Sequence, residues 1–137
     1  LDTNVISEMR KVRQGRADSN VSAWLAGTVP ELLYTCPVVT MELERGILDM
    51  ERKDPQQGQA LRAWYAALMT HVFHERIVAI DAQTAAICAG LHIPDKAPEN
   101  DAWIAAVALQ HGLTLVTRNT ADFERTGVRL LNPFQAA

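Results

Sequence analysis

Asp2, Glu42, Asp101, Asn119 and Asp122 are oxygen-bearing side chains from four separate stretches of a 137-residue chain. Each has an ordinary explanation when taken alone. Asp2 reads as a solvated terminal residue, Glu42 as a surface residue like Glu44, and Asp101 as a favourable charge at a helix start with Asn100 as cap. Asn119 reads as a turn residue and Asp122 as the cap of a short turn before Phe123. Together they are harder to explain. Carboxylates brought into one place repel, and in most of these stretches no Lys or Arg stands between them. A hard divalent cation is the economical way to hold them. All-oxygen donors suit Mg²⁺ or Mn²⁺, which keep several waters and take one or two carboxylates each. Such an ion activates a water and neutralises charge on a phosphate, and two of them about 3.5–4 Å apart clamp both attacking and leaving oxygens. The chemistry predicted is metal-assisted hydrolysis of a phosphodiester.

The elements that must position these groups alternate between helix and strand. A helix is predicted over 3–11, and Asn20 is the expected cap of a second one bearing Val21, Trp24 and Leu25 on one face. Residues 32–36 read as a buried strand stopped by Pro37. The 38–53 helix carries Val39, Leu43, Ile47 and Met50 on one stripe, with Met41 and Leu48 opposite, a pattern that predicts a partner on the second face. Glu42 borders the buried stripe and stacks over Gly46 one turn on, whereas Glu44 lies on its far side. Asp54-Pro55 breaks the chain before a 56–71 helix.

A strand over 76–80, an Ala-rich helix over 82–91, a loop over 94–98 and a helix over 101–110 follow, with Gly112 a left-handed cap. Residues 113–117 and 128–131 read as two more strands. Strands separated by helices imply parallel pairing with helices on both faces. With a first strand truncated just upstream of Asp2, the expectation is a three-layer α/β/α sandwich of about five mainly parallel strands, one domain over 1–137. In such a sheet, ligands bind beyond the carboxyl ends of the strands, where these acids fall.

Four ordered motifs now resemble a known family. They are Leu1-Asp2-Thr3-Asn4-Val5-Ile6-Ser7-Glu8, Glu42-Leu43-Glu44-Arg45-Gly46-Ile47, Asp101-Ala102-Trp103-Ile104-Ala105-Ala106 and Thr117-Arg118-Asn119-Thr120-Ala121-Asp122-Phe123. They are similar to the motifs of PIN-domain ribonucleases, above all the VapC-type toxins of bacterial toxin–antitoxin pairs. The ending Asn132-Pro133-Phe134 resembles the family's usual close. The resemblance implies a PIN-like α/β/α fold, Mg²⁺- or Mn²⁺-dependent cleavage of RNA, a homodimer, and neutralisation by a VapB-like antitoxin. It makes Asp2, Glu42 and Asp101 the main acids and metal partners, with Asn119 or Asp122 as the fourth position. Asn4, Ser7 and Thr117 are supporting residues in the same pattern. Asn rather than Asp at 119 is the departure that bears on a second ion.

Bulk composition agrees with an ordinary globular protein, at 48% hydrophobic and 21% charged. No apolar run has the length of a membrane span, and no secretory signal is read at the start. Cys36 and Cys88 read as buried thiols of a reducing cytoplasm. The net charge of −3 requires that RNA be met by a local basic patch or by bound cations. Arg10, Lys11, Arg13 and Arg16, with Arg118, are either that patch or a solvated loop.

His71 and His74 lack the spacing of a helical zinc motif, and with His92 and His111 read as helix-end residues. Trp24, Trp64 and Trp103 are expected to pack rather than stack on bases. A receiver-like or aspartyl-phosphate enzyme would need a second Asp two residues after Asp2 or a Lys after a late strand, where Asn4 and Arg118 stand. A catalytically inactive RNA- or protein-binding module is the remaining alternative.

Overall fold

Proline and aspartate punctuate the chain into helices. The computed structural model describes residues 1–136. Its elements are α1 (Thr3–Val12), α2 (Ser19–Ala26), α3 (Pro37–Lys53), α4 (Pro55–His71), α5 (Ala82–Leu91), α6 (Glu99–Gln110), β1 (Leu115–Val116), α7 (Thr120–Phe123) and β2 (Leu130–Leu131). Pro37 and Pro55 open α3 and α4, where a missing N–H costs nothing and φ is already helical. Asp54 caps α4 by accepting the Gln57 N–H, and Asp81 with Thr84 forms a capping box on α5. Two predicted caps are corrected. Asp18, not Asn20, caps α2, because its carboxylate reaches the amides of Asn20 and Val21. Pro98, not Asn100, precedes α6, so Asn100 lies inside that helix with its side chain free for other work. Gly112 leaves α6 at φ +64°, the left-handed exit that its position predicts.

The sheet is smaller than the predicted set of about five strands. Among the described residues, β1 and β2 pair in parallel, with Leu115 opposite Leu130 and Val116 opposite Leu131. The predicted 32–36 and 76–80 strands reduce to one parallel bridge between Thr35 and Ile77. Local chemistry explains the shortening. Pro30 begins a 3₁₀ turn that takes Leu32, and Pro37 starts a helix directly after Cys36. Glu75 enters the 76–80 run at φ 61°, and Asp81 leaves it as a helix cap.

The extended pieces still lie side by side, tied by one or two bonds each rather than by ladders. The Leu1 nitrogen donates to Tyr34 O at 2.6 Å, and Asp2 N donates to Val116 O at 2.9 Å. Thr35 N donates to Arg76 O at 3.1 Å and accepts Val78 N on its carbonyl at 2.8 Å. Asp2 is thus fixed beside the carboxyl end of β1.

Helix α6 is the central one. Ala102 and residues 104–108 are all buried, and its alanines let neighbouring elements approach closely. Ile6, Val39, Leu43, Phe73 and Phe123 join it in the main core. Trp24 and Trp64 pack against that core, and Trp103 against a smaller cluster of Cys88, Ala102 and Ala106, so all three serve packing as expected. Both cysteines are free and buried. No helix is long and apolar enough to cross a membrane among the described residues.

Helices α3 and α4 pack together and share Arg62, whose guanidinium bonds Glu44 at 2.6 Å and Glu51 at 3.0 Å. Their closest approach requires Gly58, where a Cβ would sit 2.4 Å from the Glu51 Cα. Backbone cannot yield as a flexible side chain would. Gly58→Ala is therefore expected to destabilise the fold by about 2 kcal/mol despite alanine's better helix propensity. Thermal unfolding checks this, and an unchanged or raised midpoint would refute it. On α3, Met41 and Leu48 stay exposed in the single chain.

Candidate functional site

The predicted acids gather around the cap of α1, the second turn of α3, the first turn of α6 and the short helix α7 after β1. Asp2 is only 6% exposed although it lies beside the chain's first residue, so the solvated reading does not hold. Its Oδ1 accepts the Thr3 N–H at 2.8 Å, which makes it the cap of α1. Its Oδ2 accepts the Thr117 hydroxyl at 2.7 Å and the Asn4 side-chain amide at 3.3 Å. Thr117 is fully buried, and its hydroxyl oxygen also accepts from Asn4 Nδ2 at 3.3 Å and from Asn119 N at 3.1 Å. One hydroxyl therefore ties the end of β1, the start of α7 and the Asp2 carboxylate together.

Glu42 is held by two residues that the sequence patterns did not single out. Thr3 donates its hydroxyl to Glu42 Oε1 at 2.6 Å, and Asn100 donates its amide to Oε2 at 3.3 Å. The only signal available was position, since Thr3 and Asn100 are the immediate neighbours of Asp2 and Asp101. Asp101, in the first turn of α6, has its carboxyl pushed up to about 6. Burial is the first cause, followed by the charges of Asp2, Asp122 and Glu42. Four acids from four elements thus share one electrostatic neighbourhood.

The other predicted residues divide. Asn4 joins the site through Asp2 and Thr117, and its Oδ1 also accepts the Arg118 backbone N–H at 3.0 Å. Asn119 is tied in by its backbone, and its side chain is exposed. Asp122 is exposed but acts on Asp101 through its charge. Ser7 is exposed on α1 and makes no hydrogen bond to Asp2.

The donor set fits a hydrated divalent cation. Its four acids offer only oxygen, and no cation is among the charges acting on Asp101, whose proton is held by burial first and then by the repulsion of Asp2, Asp122 and Glu42. Among the described residues, no three His, Cys, Asp or Glu side chains close tightly enough to enclose an ion directly. The acids do not line the apolar cavity of about 390 Å³ that lies beside Leu1, Tyr34 and Leu115. That cavity reaches Leu113 and Thr114 at the amino end of β1, away from the chemistry.

His71 and His74 build no metal site; His74 is exposed, 3.7 Å from Glu75. His92 instead accepts the Ala97 N–H at 3.0 Å and so fastens the 94–98 loop ahead of α6. In the basic stretch, Lys11 pairs with Glu8 at 3.1 Å and Arg16 bonds Gln14, while Arg10 and Arg13 carry no ion pair among the described residues. Arg118 sits over the ring of Phe134, 4.8 Å from its centroid.

Residues 1–128 match the family model described as PIN domain. The chain is 32% identical to the VapC ribonuclease Y4jK of Sinorhizobium fredii, over 100% of this chain and 98% of that one. It is also 32% identical to the toxin FitB of Neisseria gonorrhoeae, over 98% of this chain and 96% of that one. Its fold superposes on the solved structure of FitAB bound to an IR36 DNA fragment with a TM-score of 0.86 and 28% identity, covering 99% of this chain and 95% of that one.

Proposed function

The chain belongs to the PIN-domain family, and on that premise we propose that it is the VapC-type toxin of a toxin–antitoxin pair, an Mg²⁺- or Mn²⁺-dependent endoribonuclease. The observation that carries this reading is the Asp101 carboxyl, pushed up to about 6 by burial and by three neighbouring acids with no cation among them. Such an arrangement costs stability unless a bound ion uses it. Asp2 and Asp101 bind the ion directly, and Glu42 binds it or positions its water. Asp122 is the better fourth corner than Asn119, because its charge already acts on Asp101 while the Asn119 side chain does not engage the cluster. When bound, the cation supplies an activated water and neutralises charge building on the scissile phosphate.

The chain's own residues keep the donors aimed. Thr117 and Asn4 fix one Asp2 oxygen, and the α1 amide of Thr3 fixes the other. Thr3 and Asn100 fix Glu42 from opposite elements. Rigid mounting of this kind lowers the reorganisation needed when a substrate phosphate arrives. The catalytically silent binding module is not favoured, since all four acids are present, Asp2 and Glu42 are held by hydrogen bonds, and Asp122 acts on Asp101 through its charge.

The same reading gives one PIN-like domain whose five extended lanes, in the order Ile77, Thr35, Asp2, Val116, Leu131, form the sheet; one or two bonds between lanes support it. A second copy of the chain covers Met41 and Leu48 on α3, and a VapB-like antitoxin in the cytoplasm holds the toxin silent. The deciding assay uses the purified chain on pooled cellular RNA. Cleavage with Mg²⁺ or Mn²⁺ and its loss in EDTA are expected; cleavage indifferent to the chelator, or none under either condition, would overturn the reading.

A further inference from the structure

A cluster built only of acids repels the phosphates of the strand it is meant to cut, so a fixed positive charge at its rim has work to do. Arg118 stands one residue beyond Thr117, the residue that holds Asp2. Its backbone N–H is bound by Asn4 Oδ1 at 3.0 Å, and Asn4 in turn donates to Asp2. The same main-chain stretch is held from the other side, where Asn132 Nδ2 donates to Arg118 O at 3.3 Å. Backbone position here is therefore set by the acid site itself.

The side chain has a mount of its own. The guanidinium lies 4.8 Å from the Phe134 ring centroid, within range of a cation–π attraction. Phe134 is fixed in a turn, its N–H donating to Asn132 Oδ1 at 2.9 Å and its carbonyl accepting from Asn20 Nδ2 at 2.8 Å. Asn20, displaced as a helix cap by Asp18, spends its amide on this anchor. Among the described residues Arg118 has no carboxylate partner, whereas Arg52 and Arg125 each have one and Arg62 has two. An exposed arginine one residue along the chain from Thr117, held by an aromatic ring and left without an anion, is a prepared anion grip. Its planar fork of donors matches a phosphate in a way that lysine's ammonium does not.

We propose that Arg118, held on Phe134, binds a backbone phosphate of the RNA strand at the rim of the acid cluster, and that the Asn132-Pro133-Phe134 turn exists to hold it there. This rests on the ribonuclease reading and adds a substrate-binding residue to it. A phosphate contact carries no sequence information; it sets register and contributes through counterion release.

The test is steady-state cleavage of a fluorescein-labelled single-stranded RNA in Mg²⁺ across a salt series. R118Q is expected to raise KM about tenfold with kcat within about twofold, and to flatten the slope of log kcat/KM against log salt by about one. F134L keeps the charge, so it should raise KM by about threefold and leave the slope intact, while F134W restores KM because Trp is the best cation–π partner. A role confined to the local fold would change neither slope nor the order of these variants. An unchanged slope and KM in R118Q beside an active wild type overturns this assignment alone. Unchanged RNA kinetics with weakened capture of a co-expressed antitoxin would overturn it in favour of a protein contact. No cleavage by the wild type would overturn the ribonuclease reading along with it.

Discussion

Asp101→Asn is expected to leave the chain folded and to lower Mg²⁺-dependent RNA cleavage by at least about a thousandfold, and Asp2→Asn to do the same. The two substitutions reach that result by different routes. Asp101 carries its charge against burial and against Asp2, Asp122 and Glu42, so removing the charge relieves repulsion and does not endanger the fold. What disappears is the carboxylate proposed as a metal ligand, in the first turn of the most buried helix. Asp2 has a structural duty as the cap of α1, yet asparagine caps a helix about as well as aspartate. Its amide oxygen can still accept from Thr3 N or from the Thr117 hydroxyl, the two bonds that fix Asp2 at 2.8 and 2.7 Å. Circular dichroism and thermal unfolding should therefore match or exceed the wild type while the cleavage of pooled RNA stops. Activity retained in either purified variant, with contaminating nuclease excluded by a mock preparation, would remove that residue from the metal site.

Much of this site was legible in the sequence because Asp2 and Asp101 lie at the starts of helices, where polarity and punctuation are local signals. Asp2 before the 3–11 helix and Asp101 in the first turn of a helix of small residues follow from chain order alone. Glu42 could be separated from Glu44 by its place beside the Val39 and Leu43 stripe, and Glu44 indeed turns away to Arg62. What could not be read is what side chains do across elements. Nothing local says that Thr3 reaches Glu42 over 39 residues, or that Thr117 reaches Asp2 over 115. Each of the two expected caps lies two residues from the observed one for the same reason, since Asp18 and Asn20 are both good caps and only a tertiary use for the Asn20 amide separates them. Strand length was overestimated because apolar β-branched runs report burial, and burial here is met with one or two bonds rather than ladders.

Asp101 also fixes how the protein should respond to pH, and the sign is opposite to that of an ordinary salt-bridged carboxylate. Its ordinary value of 3.8 is raised to about 6 in the folded chain, so the folded state holds this proton more tightly than the unfolded state. The stability this group contributes is present in full below about pH 4 and is lost as pH rises through about 6. The carboxyl is partly exposed, and screening reduces the cost to on the order of 1–2 kcal/mol at neutral pH. Metal-free Asp101→Asn should therefore be more stable than wild type by about that amount near pH 8, with the gap closing as the pH falls toward about 4. A divalent ion reverses the balance. It binds only the ionised carboxylate, so Mg²⁺ or Mn²⁺ should raise the wild-type unfolding midpoint at neutral pH and do little for Asp101→Asn. Cleavage at limiting Mg²⁺ should rise about tenfold per pH unit below about 6 and level off above it, because a proton and the ion compete for Asp101. More Mg²⁺ should then move the bend to lower pH. A bend that stays fixed over a wide range of Mg²⁺, or a metal-free Asp101→Asn that is no more stable than wild type near neutral pH, would show that the raised carboxyl and the metal are separate matters.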